Sequence, residues 1–295
     1  MNEYDPVDLP LADGRTLEIY VTGPEDGTPL IHHNGSPSSG LPYVPFVDLA
    51  AERGLRLVNY SRAGYSRSTR SPGRSVADVA GDVTAVLDHL GAASCYTMGW
   101  SGGGPHALAC AALLPERVIA AASIAGVAPY PAEGLDWMEG MGAENHAEFG
   151  AALEGPEQLQ QFLEHEGSWV AGVTADQVVA GFGDLVSDVD RRALTGEFAE
   201  WLAAGFRESV SNGIWGWFDD DIAFLKPWGF DPGAIRRPVT IWQGAQDRMV
   251  PFAHGQWLAR HVASATAQLL PEHGHLSLAV ASMGRILDDL IATQP

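Results

Sequence analysis

The chain has 295 residues and a formal charge of −20, from 37 acidic against 17 basic side chains. Hydrophobic residues make up 46% and charged ones 18%, too apolar a balance for general disorder. No run of 18 apolar residues reads as a membrane span. A field of this sign repels nucleic-acid phosphate and anionic lipid, which leaves a small molecule as the expected partner. The opening Met1-Asn2-Glu3-Tyr4-Asp5 has no basic or apolar leader region, and the two cysteines, Cys95 and Cys110, both sit in apolar runs. A cytoplasmic protein with buried free thiols is the expectation.

In chain order, RTLEIYVTG (Arg15 to Gly23) alternates as an edge strand, and PLIHH (Pro29 to His33) is a short apolar strand running into Asn34-Gly35-Ser36-Pro37. A short helix is predicted over Phe46 to Glu52 and a strand over Leu55 to Tyr60. Val76, Val79, Val83, Val86, Leu87 and Leu90 recur at helical spacing, predicting a helix over Ser75 to Leu90. SCYTMGW (Ser94 to Trp100) reads as a strand, Gly102 to Leu114 as a small-residue helix and Val118 to Gly126 as a buried strand. Near-continuous apolar strands alternating with helices argue a mostly parallel sheet covered on both faces.

From Gly134 to about Ile235 the rhythm becomes helical. This stretch carries 19 acids against 4 bases and six of the nine tryptophans, the composition of a lid laid over the sheet. Alternation returns with VTIWQ (Val239 to Gln243), a helix over Pro251 to Ala263, a strand over Thr266 to Leu270 and a closing helix over Ser277 to Ile291. The expected division is a core of 1–133 and 236–295 with a cap of 134–235.

The strongest local signal is Gly99-Trp100-Ser101-Gly102-Gly103. A serine projected from a tight turn between strand and helix leaves no room for side chains two positions either side, and both are glycine. A nucleophilic serine needs a base, and the base an orienting carboxylate. Asp247 follows one late strand and His275 the next, giving the order Ser, Asp, His. His273 competes with His275, which is preferred because it directly precedes the closing helix. Asp219, Asp220 and Asp221 are rival acids in the lid. Oxyanion donors are expected from the backbone N–H of Gly102 and of Ser36, since Pro37 has none to give.

These residues resemble the lid-bearing branch of the α/β-hydrolase superfamily. The resemblance covers about 15–130 and 236–292, and it implies an eight-stranded sheet with a helical lid after the sixth strand. Asn34-Gly35-Ser36-Pro37 is similar to the family's His-Gly-x-Pro oxyanion segment, with Asn34 in place of histidine. Ser61-Arg62-Ala63-Gly64-Tyr65-Ser66-Arg67-Ser68 resembles its D-x-x-G-x-G-x-S loop, with Ser61 for aspartate and Ser66 for glycine, and is expected to be a structural loop near the pocket mouth.

The mechanism implied is acyl transfer through Ser101, with no metal or organic cofactor. A carboxylic-ester hydrolase is the first reading. Serine at the elbow argues against dehalogenase and epoxide-hydrolase branches, which use aspartate there. The alternative resembles proline iminopeptidases, with lid acids holding a substrate ammonium; Asp220, beside Trp217, is the candidate. A non-catalytic receptor on the same fold would be expected to lack a triad residue, and none is missing. Trp100, next to the nucleophile, and Tyr43 are further pocket candidates. Either a monomer or a homodimer fits, since the aromatic lid suits a pocket cover or a dimer contact.

Overall fold

The computed structural model describes residues 4–292. Met1, Asn2 and Glu3, on which part of the leader reading rests, lie outside the described residues. One eight-stranded sheet runs through the molecule in the order β1-β2-β4-β3-β5-β6-β7-β8. Its strands are β1 (Val7–Pro10), β2 (Thr16–Thr22), β3 (Thr28–His33), β4 (Leu55–Tyr60), β5 (Cys95–Trp100), β6 (Val118–Ile124), β7 (Val239–Gly244) and β8 (Ala265–Leu270). Strand β2 is antiparallel to both β1 and β4, and every later pairing is parallel.

The element missing from the pattern reading is β1. Of VDLP only Leu9 is buried, so it offers no alternation to detect. Pro10 is tolerated because this is an edge strand. The central strands explain their own composition: every residue of β5 is buried, as expected where helices cover both faces.

The helices are α1 (Val44–Ala51), α2 (Val79–His89), α3 (Gly104–Leu113), α4 (Ala143–Glu154), α5 (Pro156–Val170), α6 (Ala175–Gly181), α7 (Asp188–Ala193), α8 (Gly196–Ser209), α9 (Trp215–Phe224), α10 (Phe252–His261) and α11 (His275–Ala292). Phe46 and Val47 of α1 join Ile286, Leu287 and Leu290 of α11 in one apolar cluster. On the other side, Val83 and Val86 of α2, Leu108 of α3 and Leu258 of α10 form another. Cys95 and Cys110 are both buried free thiols. His33 is a satisfied core residue, with its ring nitrogens 2.7 Å from the Tyr60 hydroxyl and 2.9 Å from Thr97 Oγ1. No helix among the described residues is long and apolar enough to cross a membrane.

Helices α4 to α9 all fall between β6 and β7 and form a cap. Leu159, Leu163, Val170, Val210, Ile214 and Trp217 of the cap pack in one cluster with Tyr65 of the core. A second contact seats the cap over the sheet. Trp201 of α8 stacks on Trp100 and lies 5.1 Å from the Tyr43 ring, while its Nε1 donates to the Leu41 carbonyl at 3.0 Å. Parallel β3, β5, β7 and β8 bring their C-terminal ends to one edge, where ligands bind in open α/β sheets. The cap lies over that edge.

Truncating the cap's aromatic anchor, Trp201→Ala, is expected to cost about 3–5 kcal/mol of unfolding free energy. Urea titration followed by tryptophan fluorescence measures it; a loss below about 1 kcal/mol would mean that the anchor does not seat the cap.

Candidate active site

Strand β5 hands over to α3 through one tight turn. Ser101 sits there with φ of +57°, in the left-handed region that a non-glycine residue enters only under constraint. The turn closes because neighbouring side chains are absent. A Cβ on Gly99 would overlap the Gly103 carbonyl, and one on Gly103 would overlap the carbonyl of His33. Pro105 falls in the first turn of α3, where its missing N–H costs nothing.

At the ends of β7 and β8, His275 Nδ1 lies 2.8 Å from Asp247 Oδ2. The carboxylate is fixed by three further donors. Met249 N and Val250 N reach Oδ1 at 2.9 and 2.8 Å, and Gln243 Nε2 reaches Oδ2 at 3.0 Å. Burial opposes a charged imidazole at His275, but the Asp247 carboxylate outweighs it and raises the His275 pKa. Burial likewise raises Asp247, against the lowering effect of His275. His275 is the first residue of α11 rather than part of the preceding loop, so the closing helix starts two residues earlier than its apolar pattern predicts. His273 is half-buried and contributes its backbone carbonyl to Gln246 N at 2.9 Å. It does not line the cavity described below.

The segment after β3 packs against the elbow. A Cβ added to Gly35 would sit 3.3 Å from Ser101 Cβ, and one on Gly102 would sit 2.5 Å from Ser36 Oγ. Ser36 and Gly102 therefore face each other beside Ser101. Arg62 holds this segment from below, donating to the carbonyls of Asn34 and Gly35 and to Ser36 Oγ.

A cavity of about 440 Å³ opens in front of Ser101 and His275. Its wall takes Ser36, Trp100 and Leu276 from the core and Phe162, Trp169, Phe206 and Trp217 from the cap. Its charged residues other than His275 are Glu144, Glu148 and Glu166, with no lysine or arginine. Trp217 Nε1 donates to Glu148 Oε1 at 2.8 Å. Burial pushes the Glu148 carboxyl up to about 7, against that hydrogen bond. The buried Asp221 is close enough to Glu148 to feel its charge; burial first, and then that neighbouring carboxylate, raise the Asp221 carboxyl as well.

Two expected pocket residues lie elsewhere. Tyr43 is buried in the aromatic stack of Phe46, Phe198 and Trp201, because the start of α1 turns its ring beneath α8. Asp220 is 0% exposed and pairs with Arg62 at 2.6 Å and Arg74 at 2.6 Å. It also accepts from Ser36 Oγ at 2.5 Å and Tyr65 Oη at 2.8 Å. Burial alone would raise this carboxyl, but the two guanidiniums hold it far below the usual range. Its charge is consumed and offers nothing to an ammonium. Along α9 successive side chains diverge by about 100°. Asp219 meets Arg70 at 2.7 Å, Asp220 the buried arginines, and Asp221 turns to Glu148.

The Ser61 to Ser68 loop is structural, but it lies under α9 rather than at the pocket mouth. A Cβ on Gly64 would meet Gly216 N at 2.8 Å. Ser66, where the family has glycine, takes φ of +51°. Ser61, where the family has aspartate, donates to Glu18 Oε1 at 2.7 Å, so β2 supplies the missing carboxylate. Arg62, Glu148 and Asp190 were not singled out by the sequence. Arg62 lay inside a recognised loop, whereas Asp190, in the run Asp188-Val189-Asp190-Arg191-Arg192, resembles a solvated surface. Among the described residues, no cluster of three or more His, Cys, Asp or Glu is arranged to hold a metal.

Fold and site together define a serine-hydrolase type of enzyme. The chain belongs to the α/β-hydrolase fold family, whose model matches residues 28–281. It is 31% identical to a non-heme chloroperoxidase of Streptomyces lividans over 246 residues, covering 82% of each chain. A shorter match, 36% identical over 106 residues and spanning 36% of each chain, is to an uncharacterized hydrolase, YcgS, of Bacillus subtilis. Among solved structures, an esterase from Exiguobacterium antarcticum superposes with a TM-score of 0.68 at 19% identity, covering 99% of this chain and 98% of that one.

Replacing Asp220 by alanine leaves two buried guanidiniums unpaired, and about 3–5 kcal/mol of stability should be lost. Because the folded carboxyl is depressed, this contribution is complete above the unfolded value of about 3.9 and fades only as pH falls well below it. Urea unfolding at pH 7 within about 1 kcal/mol of wild type would contradict this ledger of charges.

Proposed function

We propose that the protein hydrolyses small, uncharged carboxylic esters through an acyl-enzyme on Ser101. The observation that carries the reading is the buried Asp247–His275 pair, 2.8 Å apart, opening onto the same cavity as the elbow serine. With His275 Nδ1–H given to Asp247, Nε2 is the nitrogen left to take the Ser101 proton and return it to the leaving group. The N–H groups of Ser36 and Gly102 would meet the developing oxyanion, and the start of α3 adds favourable potential. A mostly apolar wall with glutamates and no basic residue favours neutral acyl chains over carboxylate-bearing ones. The cap of 134–235 supplies much of that wall.

A second reading keeps the aminopeptidase but moves its anchor. Glu148 and Glu166, not Asp220, line the cavity, and Trp217 stands beside Glu148. A substrate ammonium there would meet Glu166 and would draw Glu148 into its ionised form, next to an aromatic face. The chloroperoxidase relative carries a different named activity, so halide-dependent oxidation belongs in the same panel.

Short-chain p-nitrophenyl esters, prolyl p-nitroanilide and halide plus peroxide should be compared side by side. Ester turnover is expected to dominate and to fall by about 10⁴ or more in Ser101→Ala and His275→Ala. Anilide turnover above ester turnover, lost in Glu148→Gln, would favour the second reading. Ester turnover that survives Ser101→Ala would reject the assignment.

The raised His275 pKa sets the sign of the pH profile. Its imidazole must be neutral to accept a proton, so kcat/KM for a neutral ester should rise with an apparent pKa above about 6.5. An acid limb centred below about 6 would contradict the pairing with Asp247.

A further inference from the structure

The helix that carries His275 has no capping side chain of its own. It begins at His275, directly after Gly274. The first N–H groups of any helix lack partners within it and are normally met by a side chain at the preceding position. Here the partner comes from the cap. Asp190 of α7 accepts from the backbone N–H of His275 at 2.9 Å, of Leu276 at 2.9 Å and of Ser277 at 2.8 Å. The Ser277 and Ser187 hydroxyls complete its shell at 2.8 and 3.2 Å. All five donors are uncharged, although Asp190 is 0% exposed. Ser277 Oγ also accepts from Gly274 N at 2.8 Å, so the start of the helix is tied in both directions.

Gly274 makes the arrangement possible. A Cβ there would lie 2.6 Å from Asp190 Oδ1 and closer still to its other carboxylate atoms. No left-handed φ demands a glycine at this position. The glycine vacates the place of a cap residue, and the Asp190 carboxylate occupies it.

We propose that Asp190 is a positioning residue for His275: a carboxylate of the cap that caps α11 from across the chain and fixes where the imidazole stands. The inference rests on the reading of His275 as general base. A helix start held at three consecutive N–H groups cannot slide or fray, so the ring keeps its place between Asp247 and Ser101. The Asp190 charge also favours the imidazolium that forms as Ser101 attacks. His275 faces Asp247 from the loop after β7 and Asp190 from α7. Glu144 and Glu148 of α4 and Glu166 of α5 line the same cavity. An assembled base therefore requires a docked cap.

The test uses the full chain and a neutral p-nitrophenyl ester. Asp190→Asn keeps the shape but turns an amide against N–H donors. It should lower kcat roughly 10- to 100-fold with KM within about twofold, as expected for a base displaced by an ångström or less. The acid limb of kcat/KM should move to lower pH, because a negative charge near the imidazolium is gone. Asp190→Gly combined with Gly274→Asp returns a cap to its usual place and should recover kcat to within roughly threefold of wild type, whereas Asp190→Gly alone should not. A folded Asp190→Asn with wild-type kcat and an unmoved acid limb would overturn the inference. So would a folded double variant that stays inactive, and this variant decides the matter if Asp190→Asn fails to fold. His275→Ala run in parallel separates the two readings: if it retains full activity, the general-base assignment falls instead.

Discussion

A single steric constraint organises the functional edge of this protein: the turn from β5 to α3 closes only where no Cβ intervenes. Gly99 and Gly103 give the backbone that room, and Ser101 is held at φ of +57° as a result. The serine therefore projects at the C-terminal edge of the sheet, toward the ends of the parallel strands β3, β7 and β8. Those ends deliver Gly35 and Ser36 to one side and Asp247 and His275 to the other. Gly103 packs so closely on the His33 carbonyl that the elbow also fixes the approach of the segment after β3.

The cap does more than cover this edge. Its acidity, net −15 over Gly134 to Ile235, reads in the sequence as the composition of a lid, with one acid as a candidate to hold an ammonium. In the structure several of those carboxylates point inward to defined partners. Asp220 locks onto Arg62 and Arg74, and through Arg62 onto the Asn34 and Gly35 carbonyls. Asp190 meets the start of α11. Glu148, in the wall of the cavity, accepts from Trp217 Nε1. Asp220 is met by arginine charges and Asp190 by uncharged helix N–H donors, two ways of meeting the cost of a carboxylate away from water.

What the sequence reveals follows from range. The elbow, the strand order of Ser101, Asp247 and His275, and the helical insertion are local patterns, legible because turn sterics and periodicity act over a few residues. Strand β1 is not legible, since only Leu9 of its four residues is buried. The first turn of α11 is hidden for a related reason: its N-cap lies 84 positions earlier than Gly274, at Asp190. Tyr43 and Asp220 are placed correctly along the chain but point away from the cavity, because cross-chain packing and ion pairing set their direction. Three consecutive aspartates look interchangeable in a sequence; helical geometry sends each to a different partner.

The central claim is that Ser101 is a nucleophile activated by His275. Fluorophosphonate labelling followed by peptide mass spectrometry tests it most directly, because it needs no knowledge of the natural substrate. The account predicts a single adduct on Ser101, absent in Ser101→Ala and formed orders of magnitude more slowly in His275→Ala. An adduct on another residue, or equal labelling rates with and without the histidine, would contradict it.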